Sequence, residues 1–141
     1  MEAYDENNIF ARILRGELPC HQVWEDDAVL AFMDIAPMSP GHLLVLPKAA
    51  SRNLLDADDT VLAALIARVR MIAAAAKEAL GADGITIQQF NEAPAGQSVF
   101  HLHFHVLPRW VGEPLKPEAG ETENPDVLAE QAAKIRRAIE A

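Results

Sequence analysis

The chain has 141 residues, half of them apolar and under a quarter charged, which suits one folded domain with a core large enough to need no disulfide or structural metal. The net charge of −9 argues against non-specific nucleic-acid binding, which depends on Lys and Arg meeting phosphates, yet leaves room for a small anion held by backbone N–H groups. The single cysteine, Cys20, allows no intrachain disulfide and fits a reducing, cytoplasmic setting; the amino-terminal residues lack the order of a signal peptide, and Arg68, Arg70 and Lys77 interrupt the longest apolar region, so no membrane partner is expected.

Asn8–Arg15 reads as a short helix with an apolar face at Ile9, Ile13 and Leu14, closed by Gly16. Gln22–Glu25 and Ala28–Asp34 read as strands joined at a hairpin turn, Asp26-Asp27. Pro37, Pro40 and Gly41 mark a loop, and His42–Leu46 is a buried strand ended by Pro47. The longest helix is expected over Asp58–Leu80, where Val61, Leu65, Val69, Ile72, Ala76 and Leu80 recur at helical spacing; Asp58 and Asp59 suit its positive end and Gly81 its exit. Ile85–Phe90 is a strand, Asn91–Gln97 a turn, and Phe100–Leu107 a strand stopped by Pro108. Residues 112–124 are rich in Pro and Glu and read as irregular. Asn124-Pro125 caps a final helix reaching about Ile139. This order implies an α+β domain with an antiparallel sheet.

His101, His103 and His105 alternate with Leu102, Phe104 and Val106. Side chains alternate across a strand, so the imidazoles share one face and the apolar groups pack behind them. Three readings compete: an exposed polar face, a metal site and nucleophilic catalysis. A strand advances ~3.3 Å per residue, so His101 and His105 begin ~13 Å apart and cannot both ligate one zinc ion whose bonds are about 2 Å. Two of the three could, with help from elsewhere, but no CxxC or HExxH motif supplies it. A neutral imidazole can instead attack phosphorus and form a covalent intermediate, with its neighbours orienting it and neutralising phosphate oxygens. Gly96-Gln97-Ser98 places a flexible backbone, an amide and a hydroxyl beside the histidines.

Gly96-Gln97-Ser98-Val99-Phe100-His101-Leu102-His103-Phe104-His105-Val106-Leu107 resembles the signature of the histidine triad, or HIT, family of nucleotide hydrolases and transferases, on its Hint-like and bacterial side. Asn8-Ile9-Phe10, Gly16-Glu17-Leu18-Pro19, Glu25-Asp26-Asp27, Phe32-Met33-Asp34-Ile35 and Gly41-His42-Leu43-Leu44-Val45-Leu46-Pro47-Lys48 fit the family in the same order. The resemblance implies a HIT domain over 7–110, with 111–141 as a carboxyl-terminal extension ending in a helix. It further implies a HIT-like fold with one long packing helix and a short amino-terminal helix, and a homodimer whose sheets join. By position His103 is the nucleophile, flanked by His101 and His105, with His42 helping to orient the triad. Asp34 matches the ribose-binding acid, Ile35 and Phe10 the base contacts, and Asn91, Gln97 and Ser98 the polar groups around phosphate and leaving group. No cofactor or metal is implied: the zinc-binding CxxC of some bacterial relatives corresponds to Asn8 and Ala11.

Each assignment has a plainer alternative. Asp34 could cap the Pro37 turn, Asn91 could serve a tight backbone, and Phe10 and Ile35 could be core. Ser98 lacks the GxSxG elbow of a serine nucleophile, and Cys20-His21 reads as incidental. Leu107-Pro108-Arg109 resembles dinucleoside polyphosphate hydrolases, whereas Asn91–Ser98 resembles nucleoside phosphoramidases. The expected function is therefore hydrolysis or transfer at the α-phosphate of a small nucleotide substrate, either as a phosphoramidate, an acyl-nucleotide or a dinucleoside polyphosphate. A non-catalytic nucleotide-binding scaffold and a zinc module are the competing classes.

Overall fold

A computed structural model describes residues 1–141. The elements are α1 (Ile9–Leu14), β1 (Gln22–Glu25), β2 (Val29–Met33), β3 (Leu43–Pro47), α2 (Asp59–Leu80), β4 (Gly84–Gln88), β5 (Phe104–Arg109) and α3 (Pro125–Glu140), with single 3-10 turns at Leu54–Asp56 and Ala93–Ala95. The five strands form one antiparallel sheet in the order β1-β2-β3-β5-β4. No helix is long and apolar enough to cross a membrane.

The sheet has an apolar layer on each side. On one side Val29, Ala31, Met33, Leu43, Val45, Leu102 and Val106 meet Leu65, Val69, Ile72, Ala75 and Ala76 of α2 and Leu128, Ala132 and Ile135 of α3. The final helix is thus part of the main core. On the other side Leu30, Phe32, Leu44 and Leu46 meet Phe10 of α1. The helix α1 buries Phe10 and Ala11 rather than the expected Ile9, which is exposed. Its first turn is fixed by the Asn8 side chain, which accepts from the Ala11 N–H at 2.9 Å, so Asn8 and Ala11 serve a helix start here.

Two boundaries differ in ways that matter for the histidines. The regular strand β5 begins at Phe104, not Phe100, because its ladders end there: Val45–Phe104 is the last pair with β3 and Gln88–His105 the last with β4. Before Phe104 the chain is held instead by the loop after β3, with Leu102 N–H donating to Ser51 C=O at 2.9 Å. At the other end β5 passes through Pro108 to Arg109. The β3 ladder stops at the Leu43–Val106 pair, which leaves Pro108 without a strand on one side, where a residue lacking an N–H is tolerated.

Candidate active site

The sheet face opposite α2 and α3 carries the histidines. Leu102, Phe104 and Val106 point into the helix-side core, so His101, His103 and His105 turn the other way even though only His105 lies within the regular strand. All three are buried, as is His42 just before β3. The β3–β5 register pairs Leu44 with His105, which brings His42 and His105 together across sixty-three residues of chain, with Nε2 of one 2.9 Å from Nδ1 of the other.

Backbone partners are donor-only or acceptor-only, so they fix the ring tautomers. Met38 N–H donates to His42 Nδ1 at 3.0 Å, so neutral His42 carries its proton on Nε2 and donates it to His105 Nδ1. His105 must then hold its own proton on Nε2. His103 Nδ1 donates to the carbonyl of His101 at 2.6 Å, leaving Nε2 with a lone pair. His101 Nε2 donates to the Pro47 carbonyl at 2.8 Å, and its Nδ1 accepts from the Tyr4 hydroxyl at 2.6 Å. Two ring nitrogens remain without a partner: a lone pair on His103 and an N–H on His105. Their rings lie 4.9 Å apart between centroids.

Burial keeps these imidazoles neutral. His42 is pushed down to about 3 by burial and then by His105 and His103. His105 is pushed down to about 4 by burial and by His103. His101 also falls to about 4 through burial, against the Pro47 hydrogen bond, which favours its protonated form. His103 is lowered by burial, opposed by its bond to His101. An unprotonated imidazole is the nucleophilic form.

The other expected residues fall around this group with unequal freedom. Asp34 caps the turn, one oxygen accepting from Ala36 N–H at 2.9 Å, while the other lies 3.5 Å from His42 Nε2. Phe10 presents its ring to His103 edge-on, with centroids 4.8 Å apart, and is at once core and site wall. Ile35 is 58% exposed, so it is not core. Asn91 ties its loop together, accepting from Leu54 N–H at 3.0 Å and from Gln89. Gln97 is buried, and both ends of its amide are engaged within the fold: it donates to the Arg52 and Val99 carbonyls and accepts from Asn53 and the Glu92 N–H. Ser98 is exposed, its hydroxyl 3.5 Å from Glu118. A metal could be approached jointly by Asp34, His42 and His105, whose ligand atoms lie within 4.8 Å of one another; that set takes one member of the alternating triad.

Sequence reasoning passed over the residues that hold these groups in place. Tyr4 fixes His101 from ninety-seven residues away. Arg52, buried against Phe100 at 4.1 Å from its ring centre, grips Glu92 through Nε and Nη2 at 2.8 and 3.1 Å. Glu92 has φ 77 and ψ 156, a backbone region that essentially only glycine enters freely. Its two bonds to Arg52 and one from Asn53 hold the loop before the triad in that conformation. No local pattern signals such pairings, because each is made across the fold.

Comparison with known proteins matches this architecture. The model of the HIT domain matches residues 15–111. The chain is 38% identical over 114 residues to the adenylylsulfatase HINT3 of Arabidopsis thaliana, covering 77% of this chain but only 58% of that protein. The crystal structure of a Hit-like protein involved in cell-cycle regulation from Bartonella henselae, with an unknown ligand, is 54% identical, superimposes with a TM-score of 0.93, and covers 97% of this chain and 99% of its own. A zinc-bound histidine triad family protein from Mycobacterium smegmatis is 34% identical, with a TM-score of 0.83 and coverage of 95% and 94%. The chain belongs to the HIT family.

Proposed function

We propose that the protein is a hydrolase or transferase acting at the α-phosphate of nucleoside monophosphate derivatives, through a nucleotidyl group carried on His103. The observation that carries this reading is the free Nε2 lone pair of a buried, neutral His103 beside the free Nε2–H of His105. His103 Nε2 attacks phosphorus, and the bond to the leaving atom breaks with its electron pair on that atom, which takes up one proton. Water then attacks phosphorus, the P–N bond breaks, His103 regains its lone pair, and one proton is released. The positive charge on His103 in the intermediate is met by the His101 carbonyl, and the His105 N–H is a donor for a phosphate oxygen.

The remaining residues fit a nucleotide in the same frame. The Asp34 oxygen not bonded to Ala36 suits ribose hydroxyls, exposed Ile35 and the Phe10 edge suit the base, and Ser98 suits the phosphate. His42 positions His105. Asn91 and the fully engaged Gln97 side chain act by shaping the phosphate loop. The adenylylsulfatase among its relatives supports a nucleotide substrate, and the family supports a homodimer. An isologous pair is served by the outer edge of β4 and by α2, which expose Ile87 and Ile66. Unpaired Cys20 fits a cytoplasmic setting.

The test is a hydrolysis panel comparing adenosine phosphoramidate, an acyl-adenylate and diadenosine polyphosphates, alongside light scattering. Turnover of one class by a dimer is expected. Tight nucleotide binding with no turnover of any class would instead mark a scaffold.

A further inference from the structure

The segment from Gly112 to Asn124 has no helix or strand, yet it is docked on the site. Lys116 N–H donates to the Met38 carbonyl at 2.8 Å and Glu123 N–H to the Ile35 carbonyl at 2.9 Å. Both acceptors belong to the loop that follows Asp34. Between these two anchors the strap bears Glu118, whose carboxylate lies 3.5 Å from the Ser98 hydroxyl on the phosphate loop. The turn that aims it is tight: Ala119 has φ +52, and a side chain at Gly120 would meet the Pro117 carbonyl at 3.2 Å. The strap holds four glutamates and one lysine. Asp34, pushed above the usual carboxylate range mainly by burial, also feels Glu118. Arg52 is occupied by Glu92 and Glu2, and Lys48 by Glu25.

We propose that Glu118 is a specificity-determining residue: carried to the phosphate loop by the 112–124 strap, its carboxylate favours nucleotide substrates whose leaving group is a neutral or cationic amine and disfavours those that end in a polyphosphate chain. The inference rests on the nucleotidyl-transfer reading above and selects among the leaving groups that reading allows. A second negative charge approaching Ser98 meets the exposed Glu118 carboxylate as a partly screened repulsion, whereas an amine can donate to it. The rival path for a polyphosphate is the cleft of about 250 Å³ whose lining includes Met38, Ser39, Trp110, Arg109, Glu113 and Lys116, where two cations stand against one carboxylate.

The experiment measures kcat/KM for an adenosine phosphoramidate bearing a basic amine and for diadenosine tetraphosphate. It uses the full chain as wild type, Glu118→Gln, Glu118→Lys, Glu121→Lys and Lys116→Ala. Wild type should prefer the phosphoramidate. Glu118→Lys should move the ratio toward the polyphosphate by about tenfold, the scale of one partly screened charge contact, with Glu118→Gln between. Glu121→Lys makes the same charge change without reaching Ser98 and should move the ratio by less than about twofold. A ratio that ignores Glu118, or that Glu121→Lys shifts equally, overturns the proposal, as does a wild-type preference for the polyphosphate that Lys116→Ala abolishes. If neither substrate is turned over, the transfer reading fails separately, and the discrimination is read as AMP against ATP affinity in the same variants. Equal relative affinities, or no binding of either nucleotide, then overturn this inference too.

Discussion

Four neutral histidines packed at one site make folding stability depend on protons. His42, His101 and His105 are held at about 3, 4 and 4, whereas an unfolded chain titrates them near about 6.5. Lowering the pH from about 7 to about 5.5 therefore protonates them in the unfolded state and not in the folded one, so stability falls with pH. The loss continues as pH drops toward the folded values and levels off below them. Each residue contributes ~1.2 kcal/mol over that interval, so the three together cost about 4 kcal/mol, with His103 adding in the same direction. Asp34 opposes this, since its raised value favours the folded state as protons bind. Against typical stabilities of about 5–15 kcal/mol the effect is large. Urea unfolding followed by fluorescence of Trp24 and Trp110 measures it, with His42→Gln reducing the pH slope by about one proton. A stability change under about 0.5 kcal/mol between those two pH values would refute the neutral, buried assignment.

Other perturbations test other links. Tyr4→Phe removes the donor to the buried His101 Nδ1 and should cost about 1–2 kcal/mol of stability, with a shift of the His101 Nδ1 resonance in nitrogen NMR; an unmoved resonance would contradict the contact. Gly41→Ala places a side chain at φ +82, into Leu80 Cδ1 and 3.4 Å from Pro108. It should cost about 2–4 kcal/mol in a thermal melt, of which Leu80→Ala in the same chain recovers only the steric part. Activity should survive EDTA, because the shared His42–His105 proton serves the site without an ion; loss of turnover restored by zinc would point to Asp34, His42 and His105 as ligands.

Much of the fold was readable because its signals are local. The spacing of Leu65, Val69, Ile72 and Ala76 sets α2, and Gly81 ends it at φ 63 with Ala82 N–H donating to the Lys77 carbonyl. The alternation of His101 to Val106 sorts the histidines from the core without depending on strand pairing. It therefore held although regular pairing begins only at Phe104. The β5 boundaries differ because Phe100 and Pro108 take their roles from where the ladders with β3 and β4 stop, and no local sequence shows that. The tautomers were hidden for the same reason. They depend on the carbonyls of Pro47 and His101 and the N–H of Met38, which any residue types could supply. The α1 face differs from its expected one at Ile9 alone, with Ile13 and Leu14 packed on the core, because Ile9 and Phe10 are both apolar and only the docking of α1 beside His103 decides which is buried.

The central claim is that His103 Nε2 takes the nucleotidyl group. Single-turnover reaction with an adenosine phosphoramidate, quenched and digested, should yield an adenylyl adduct on the peptide containing His103. His103→Asn should abolish it with a rate loss of ~10⁶-fold while nucleotide still binds, and changes at His101 or His105 should cost less, ~10²–10⁴-fold. An adduct on His105 or Ser98, or a His103→Asn protein retaining more than about a tenth of the rate, would contradict the account.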